Sequence, residues 1–298
     1  MKKILLGAML LTGTSLFAQD SAKTETPKPN PFSFSGYVEA FYQYDFNKPT
    51  DNNRPGFIYS HNRHNEFNLN LGFLKGSYNA ERVRANLAIA AGTYMNANYA
   101  AETGVLKNVY EANAGLKISK KKNLWIDAGI FSSHIGFESA VSKDCWTLTR
   151  SILADNSPYF ESGAKLTYTS DNNKWLVSGL VLNGWQRIKR VDANSLMSYG
   201  TQLQYKPNSN ITLNYSTFIG TDKPDSARLW RYFHNVYGVI NVTGKFGITA
   251  GFDIGSEQKT KGSNDFNTWY TPVLILKYAV NSKWAIAARG EYYDDRYG

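Results

Sequence analysis

The sequence predicts an all-β protein of one architecture: a transmembrane antiparallel up-and-down β-barrel. Three observations predict it. Apolar and polar residues alternate with period 2 in segment after segment from residue 32 onward. The connections between these segments alternate between short and long. Aromatic residues gather at both ends of the segments. Strict alternation reads as strands with one apolar and one polar face. Short turns on one side and long loops on the other, with two aromatic girdles, are the mark of a barrel in an outer membrane.

The bulk composition agrees once the geometry is considered. Mean hydropathy is negative, and no apolar run after the N-terminus reaches the ~20 residues of a membrane helix. A barrel strand shows lipid only every second side chain, so its average stays polar. The 20 tyrosines and 24 glycines suit strands and tight turns. At the N-terminus, Lys2 and Lys3 precede an apolar stretch from Ile4 to Phe17 and the small Ala18, so residues 1–18 are expected to be a cleaved export signal. Residues 19–31 (QDSAKTETPKPNP) are expected to be a disordered lead-in, and residues 32–298 the barrel. Cys145 is the sole cysteine, so no internal disulfide forms, and a small buried hydrophobe is expected there. The net charge of +9 is scattered apart from Lys120-Lys121-Lys122 and accompanies no nucleic-acid motif.

In order, the first strand sets Phe34, Val38, Ala40, Tyr42 and Tyr44 against Ser35, Glu39, Gln43 and Asp45. The second sets Phe67, Leu69, Leu71 and Phe73 against Glu66, Asn68 and Asn70. The third sets Val83, Ala85, Leu87 and Ile89 against Arg82, Arg84 and Asn86. Further apolar faces read as Tyr110/Ala112/Ala114/Leu116, Leu124/Ile126/Ala128/Ile130, Phe160/Ala164/Leu166/Tyr168 and Leu176/Leu180/Leu182. The rest read as Tyr199/Leu203/Tyr205, Ile211/Leu213/Tyr215/Ile219, Tyr232/Val236/Ile240, Phe246/Ile248/Ala250/Phe252/Ile254, Tyr270/Leu274/Leu276/Tyr278 and Trp284/Ile286/Ala288/Tyr292. That makes about thirteen strands. Single-chain bacterial barrels have even numbers, and Asp294 to Gly298 reads as the start of a loop, so fourteen or more strands are expected when the chain is complete.

The lumen face supplies the candidate pore-lining charges: Glu39, Asp45, Glu66, Arg82, Arg84, Glu111, Lys117, Asp127, Glu161, Lys165, Arg231, Asp253, Arg289 and Glu291. Charge cannot face lipid cheaply, so these groups meet water or a polar plug. Acidic groups tend toward the long-loop mouth and basic groups toward the short-turn mouth, which predicts an axial field, with cross-lumen salt bridging as the alternative. The longest loop, Ser132 to Pro158, is too apolar for a solvated tail and is expected to fold inward as a constriction carrying His134, Glu138, Lys143, Asp144 and Arg150. The segment Trp185 to Arg190 combines stacking and charge suited to sugars or anions, with a plain basic loop as the simpler alternative. No metal or catalytic spacing is evident. An enzyme is not expected; one would need Ser133, His134, Asp144 and His61 brought together.

Several stretches carry a family resemblance: Asp127-Ala128-Gly129-Ile130-Phe131, His134-Ile135-Gly136-Phe137-Glu138, Ser157-Pro158-Tyr159-Phe160-Glu161-Ser162-Gly163 with Lys165 and Tyr168, and Gly36-Tyr37-Val38-Glu39-Ala40 with Tyr42. Together they resemble the OmpL-like β-barrel porins common in Bacteroidetes. The resemblance spans most of the chain after residue 31. It implies a Gram-negative outer membrane, contact with its lipid and lipopolysaccharide, and a pore. It carries over no solute and no cofactor. The chain departs from the family pattern in lacking a terminal strand that ends in an aromatic residue. The combined expectation is passive diffusion of small hydrophilic solutes. A surface-binding or adhesion barrel with a blocked lumen is the alternative.

Overall fold

In a computed structural model, which describes residues 30–297, the alternating segments form strands along the whole chain. The expected signal at 1–18 and the lead-in as far as residue 29 lie outside the described residues. The strands are β1 (Phe32–Tyr42), β2 (Phe67–Asn79), β3 (Val83–Ala91), β4 (Val109–Lys117), β5 (Asn123–Ser132), β6 (Phe160–Thr169) and β7 (Trp175–Leu182). They continue as β8 (Ser198–Asn208), β9 (Ile211–Gly220), β10 (Arg231–Asn241), β11 (Phe246–Gln258), β12 (Phe266–Ala279), β13 (Ala285–Glu291) and the short β14 (Asp294–Asp295). Each of β1 to β13 pairs with its sequence neighbours in one meandering sheet, and β14 also pairs with β12. All pairs are antiparallel, as hairpin connections require. The segment at Asp294–Asp295, expected to open a loop, instead continues in the sheet beside Trp269 and Tyr270.

The polarity of the sheet is inverted relative to a soluble domain. Val38, Leu74, Leu87, Leu116, Val236, Leu274 and Ile286 are exposed, whereas Asn70, Asp127, Glu161, Asn214, Ser216, Asn235, Thr249, Asp253 and Thr271 are buried. Apolar side chains in the open and polar ones enclosed is the arrangement that a hydrocarbon solvent selects. Aromatic pairs close both ends of the apolar face. Tyr42 meets Phe67 and Tyr270 meets Tyr292 at the long-loop side, while Phe32 meets Tyr78 and Trp175 stacks on Tyr205 at the short-turn side. Such rings suit the headgroup level, where one edge is wet.

Four stretches of the expected apolar face lie elsewhere. In β2 the register with β1 shifts between Glu39 and Ala40, which leaves Asn70 as an extra residue. This bulge reverses the side-chain phase. Phe67 stays outside at 88% exposure, but Leu71 is fully buried and Phe73 packs inside against Tyr37 and Tyr110. A second shift between Ala88 and Ile89 skips Tyr110, which joins the same inner cluster. In β5 and β6, Ile130 and Phe160 are buried, with Tyr99 stacked on Phe160 at 3.9 Å. In β7 both faces are apolar: Trp175, Val177 and Val181 face out, while Leu180 and Leu182 pack inside with Phe131, Ile135, Phe218 and Phe233. The inner apolar clusters therefore lie between the wall and the loops.

Connections on one side are tight, such as residues 80–82 and 209–210. Those on the other include residues 43–66, 92–108, 133–159 and 183–197. Helix α1 (Thr93–Asn98) lies in the second of these long loops and α2 (Ile152–Asp155) in the third. Val236 sits at the centre of β10, facing out. Replacing it with arginine is expected to destabilise the folded protein by about 2–4 kcal/mol, read from reversible denaturant unfolding in lipid vesicles.

Candidate functional site on the inner face of the sheet

The inner face of β11 carries two glycines where the wall meets a loop. A Cβ on Gly247 would lie 2.6 Å from Trp146 Cη2, and one on Gly251 2.7 Å from Phe137 Cε1. On β8, a Cβ on Gly200 would lie 2.7 Å from His134 Cε1. Trp146, Phe137 and His134 all belong to residues 133–159. Small wall residues thus leave the hollows into which this loop's rings fit, because close packing admits no extra methylene there.

Polar anchors complete the docking. His134 Nδ1 lies 2.9 Å from both carboxylate oxygens of Glu161, and Nε2 lies 2.9 Å from the Thr217 carbonyl. Both ring nitrogens face acceptors, which only a doubly protonated imidazole satisfies. The His134 carbonyl accepts from Ser216 Oγ at 2.7 Å, and Gly136 N donates to Asn235 Oδ1 at 3.2 Å. Ser142 Oγ donates to Glu39 on β1 at 2.5 Å, and Ile152 N donates to Glu291 on β13 at 2.7 Å. Arg289 on β13 donates to Thr147 Oγ1, Thr149 Oγ1 and the Thr149 carbonyl. The loop is bonded to strands from β1 to β13.

Of the five residues expected to charge a constriction, His134 is a buried anchor and two hold the loop together. Arg150 is buried and donates to the carbonyls of Ser139 (2.6 Å), Leu148 (3.0 Å) and Ala140 (3.2 Å), and to Ser142 Oγ. A folded loop without regular structure must satisfy its carbonyls somehow, and the guanidinium fork does so. Glu138 accepts from Ser151 N at 2.9 Å and from Ser151 Oγ, which brings the two ends of the loop's middle together. Lys143 and Asp144 are exposed. Cys145 is half-buried, and burial pushes its thiol pKa up.

The inner-face charges are largely paired. Arg84 meets Asp127 and Lys75 meets Glu111, both at 2.5 Å. Arg231 meets Glu257 at 2.6 Å, Arg289 meets Glu291 at 3.0 Å, Arg63 meets Glu66 at 2.8 Å and Arg54 meets Asp45 at 3.7 Å. Glu39 collects donors from Tyr37, His61, Asn70 and Ser142. His61 contributes through Nε2, and burial holds its pKa below the ordinary imidazole value. Lys165 lies over the Phe131 ring at 4.5 Å. Asp253 accepts from Asn235 at 2.5 Å. Arg82 is exposed and donates to the Lys117 carbonyl, while Lys117 itself is half-buried. Lys75 and Glu257 were not foreseen. Lys75 turns inward only because of the bulge at Asn70, and Glu257 lies beyond the part of β11 whose alternation was read. The residues considered for a hydrolytic cluster have separate partners: His61 with Glu39, His134 with Glu161, and Ser133 Oγ with Ile135 N.

At the long-loop end lies a cleft of roughly 490 Å³. Trp185 and Trp269 line it, with Arg231 over both rings at 5.2 and 5.7 Å. Asp155 and Asp222 also line it, and burial raises both carboxyls, Asp155 to about 6 against the hydrogen bond it accepts from Tyr159 at 2.9 Å.

Residues 31–298 match the family described as Putative beta-barrel porin-2, OmpL-like. The chain belongs to this OmpL-like porin family. Membership makes the inverted sheet an outer-membrane β-barrel, and its inner face a lumen. Solved structures similar to this chain include OmpT of Vibrio cholerae, folded in vitro, in its trimer form. That similarity is 9% identity over 89% of each chain, with a TM-score of 0.45. Outer-membrane expressed OmpT of Vibrio cholerae is similar at 10% identity over 90% of this chain and 88% of that one, with a TM-score of 0.42. No curated protein matches the sequence.

Two outcomes follow from the geometry. His134→Ala leaves the fully buried Glu161 without its cation and is expected to cost about 3–5 kcal/mol, measured as a lowered urea midpoint. Asp155 binds its proton more tightly when folded, so its contribution is full below pH ~4 and is lost as pH rises through about 6. Proteolysis of residues 133–159 should accelerate across that window, and Asp155→Asn should flatten the dependence.

Proposed function

We propose that this OmpL-like barrel is a porin for passive diffusion of small hydrophilic solutes, with residues 133–159 as the constriction inside the lumen. The observation that carries the reading is the span of the loop's bonds, from Glu39 on β1 to Arg289 and Glu291 on β13, by way of Glu161, Ser216 and Asn235. A segment held at so many points of the wall narrows the passage without closing and opening in each transit. Pairing of the wall charges supports weak ion preference, because a paired charge contributes little net field to a passing ion. Contact with outer-membrane lipid follows from the exposed apolar face, and lipopolysaccharide at the long-loop side is part of the same proposal.

The ends of the loop's middle already touch, through Glu138 and Ser151. Deleting residues 139–150 therefore removes the obstruction while leaving the anchors at His134 and Gly136. In planar bilayers the wild-type protein is expected to conduct in KCl, and the deletion to raise single-channel conductance severalfold. Unchanged conductance removes the constriction from the proposal. Absence of both conductance and liposome swelling with sugars removes the pore, and leaves a barrel with a blocked lumen.

A further inference from the structure

The porin reading leaves open what the long-loop mouth meets first, and the geometry points to an oligosaccharide. We infer that the cleft between Trp185 and Trp269 is a sugar-binding vestibule above the constriction; it rests on the reading of the barrel as a pore. Trp269 lies directly across the ladder from Gly255, and a Cβ on that glycine would collide with the indole. The ring therefore lies against the wall, with Arg231 over it at 5.7 Å, and lines the cleft. Trp185 is held edge-on by Phe218 at 4.9 Å and Phe233 at 4.8 Å, so its orientation is set before any ligand arrives. Two fixed indoles in one cleft suit the apolar C–H faces of pyranose rings, since a rigid aromatic surface binds at low entropic cost.

The polar lining excludes the simpler ligands. Arg231 is paired with Glu257 at 2.6 Å, and Arg187 lies 3.8 Å from Asp222. The cations are already neutralised, and Asp155 and Asp295 add two further carboxyl groups to the lining, so an anion or phosphate is disfavoured. What the cleft offers instead is Asn267 Oδ1, buried and without a hydrogen-bond donor among the protein atoms. A buried acceptor lacking a donor is costly, and a ligand hydroxyl supplies the donor. Fixed rings, acidic groups able to accept from hydroxyls and an unused acceptor together favour a hydroxyl-rich ring that carries no negative charge. The volume of roughly 490 Å³ lies in the ~300–1,000 Å³ range of small-molecule sites. Asp155, Asn156 and Ser157 of the constricting loop also line the cleft, so a sugar seated there stands at the entrance to the narrowing.

The test uses the whole folded protein with maltotriose, cellotriose and tri-N-acetylchitotriose as probes and sorbitol as the acyclic control. Tryptophan fluorescence in detergent micelles reports binding, and current block in planar bilayers reports entry. At least one trisaccharide should give a saturable fluorescence change and a matching block, and sorbitol neither. Trp269→Ala should weaken binding about tenfold, with Trp185 remaining as reporter, whereas Trp269→Phe should stay within about threefold. Should Trp269→Ala fail to fold, Asn267→Leu takes its place, with an expected loss of about fivefold. An ion-conducting protein that answers to none of the three sugars, or variants that bind as well as wild type, would overturn the vestibule and leave the pore standing. A saturable fluorescence response without any conductance supports the vestibule and removes the pore.

Discussion

Hydrocarbon gives a peptide group nothing to bond with, and the whole structure follows from that. Each N–H and C=O at membrane depth must find its partner in a neighbouring strand. The antiparallel ladder from β1 to β13 meets that demand for the strands between its two ends. Once the backbone is settled, the side chains sort by solvent: Leu274 and Leu276 outward, Thr271, Val273 and Ile275 inward. The interior need not be wholly polar, because it is filled in part by the protein's own loops. That is why Leu180 and Leu182 can lie inside a wall that also turns Ser178, Gln202 and Asn214 inward.

The loop at 133–159 shows how an apolar segment can be bonded to the polar face of a sheet. Its rings enter hollows left by wall glycines, and its irregular backbone is satisfied by Arg150 and by wall side chains. Buried charges are met either by an opposite charge, as His134 is by Glu161, or by neutral hydrogen-bonding groups, as Arg150 is by carbonyls, since a lone charge there would be prohibitively desolvated. The same logic thins the field of the lumen. Charges that looked on paper like a graded axial potential are mostly committed to neighbours, Arg84 to Asp127 and Lys75 to Glu111.

Much of this was legible from residue order alone. The period-2 faces of β1, β3 and β8 to β13 match the observed sides, and the alternation of turn and loop gives the sense of every strand. The misplacements have specific causes. A bulge adds one residue without altering composition, and the alternation of Phe67, Leu69, Leu71 and Phe73 runs unbroken through Asn70, so the phase reversals at Asn70 and Tyr110 left no trace in the sequence. In β7, Val177 and Val181 compete on equal terms with Leu180 and Leu182, and only the loop overhead decides between them. Arg150 read as a charge of the constriction because its acceptors are backbone carbonyls, which residue identity does not reveal. The loop's apolar content gave the expectation that it turns inward, but its anchors come from strands scattered over the chain and could not be read from it.

One consequence concerns the order of assembly. The loop lies between β5 and β6, yet it is bonded to Glu39, 103 positions before Ser142, and to Glu291, 139 positions after Ile152. These are the two ends of the pairing order, so a single internal segment acts as a rivet between the first and last staves. Contacts this distant in sequence form late. The rivet can be set only after both staves have arrived, which makes its seating a natural last step of biogenesis and a record that the staves were laid in the right sequence.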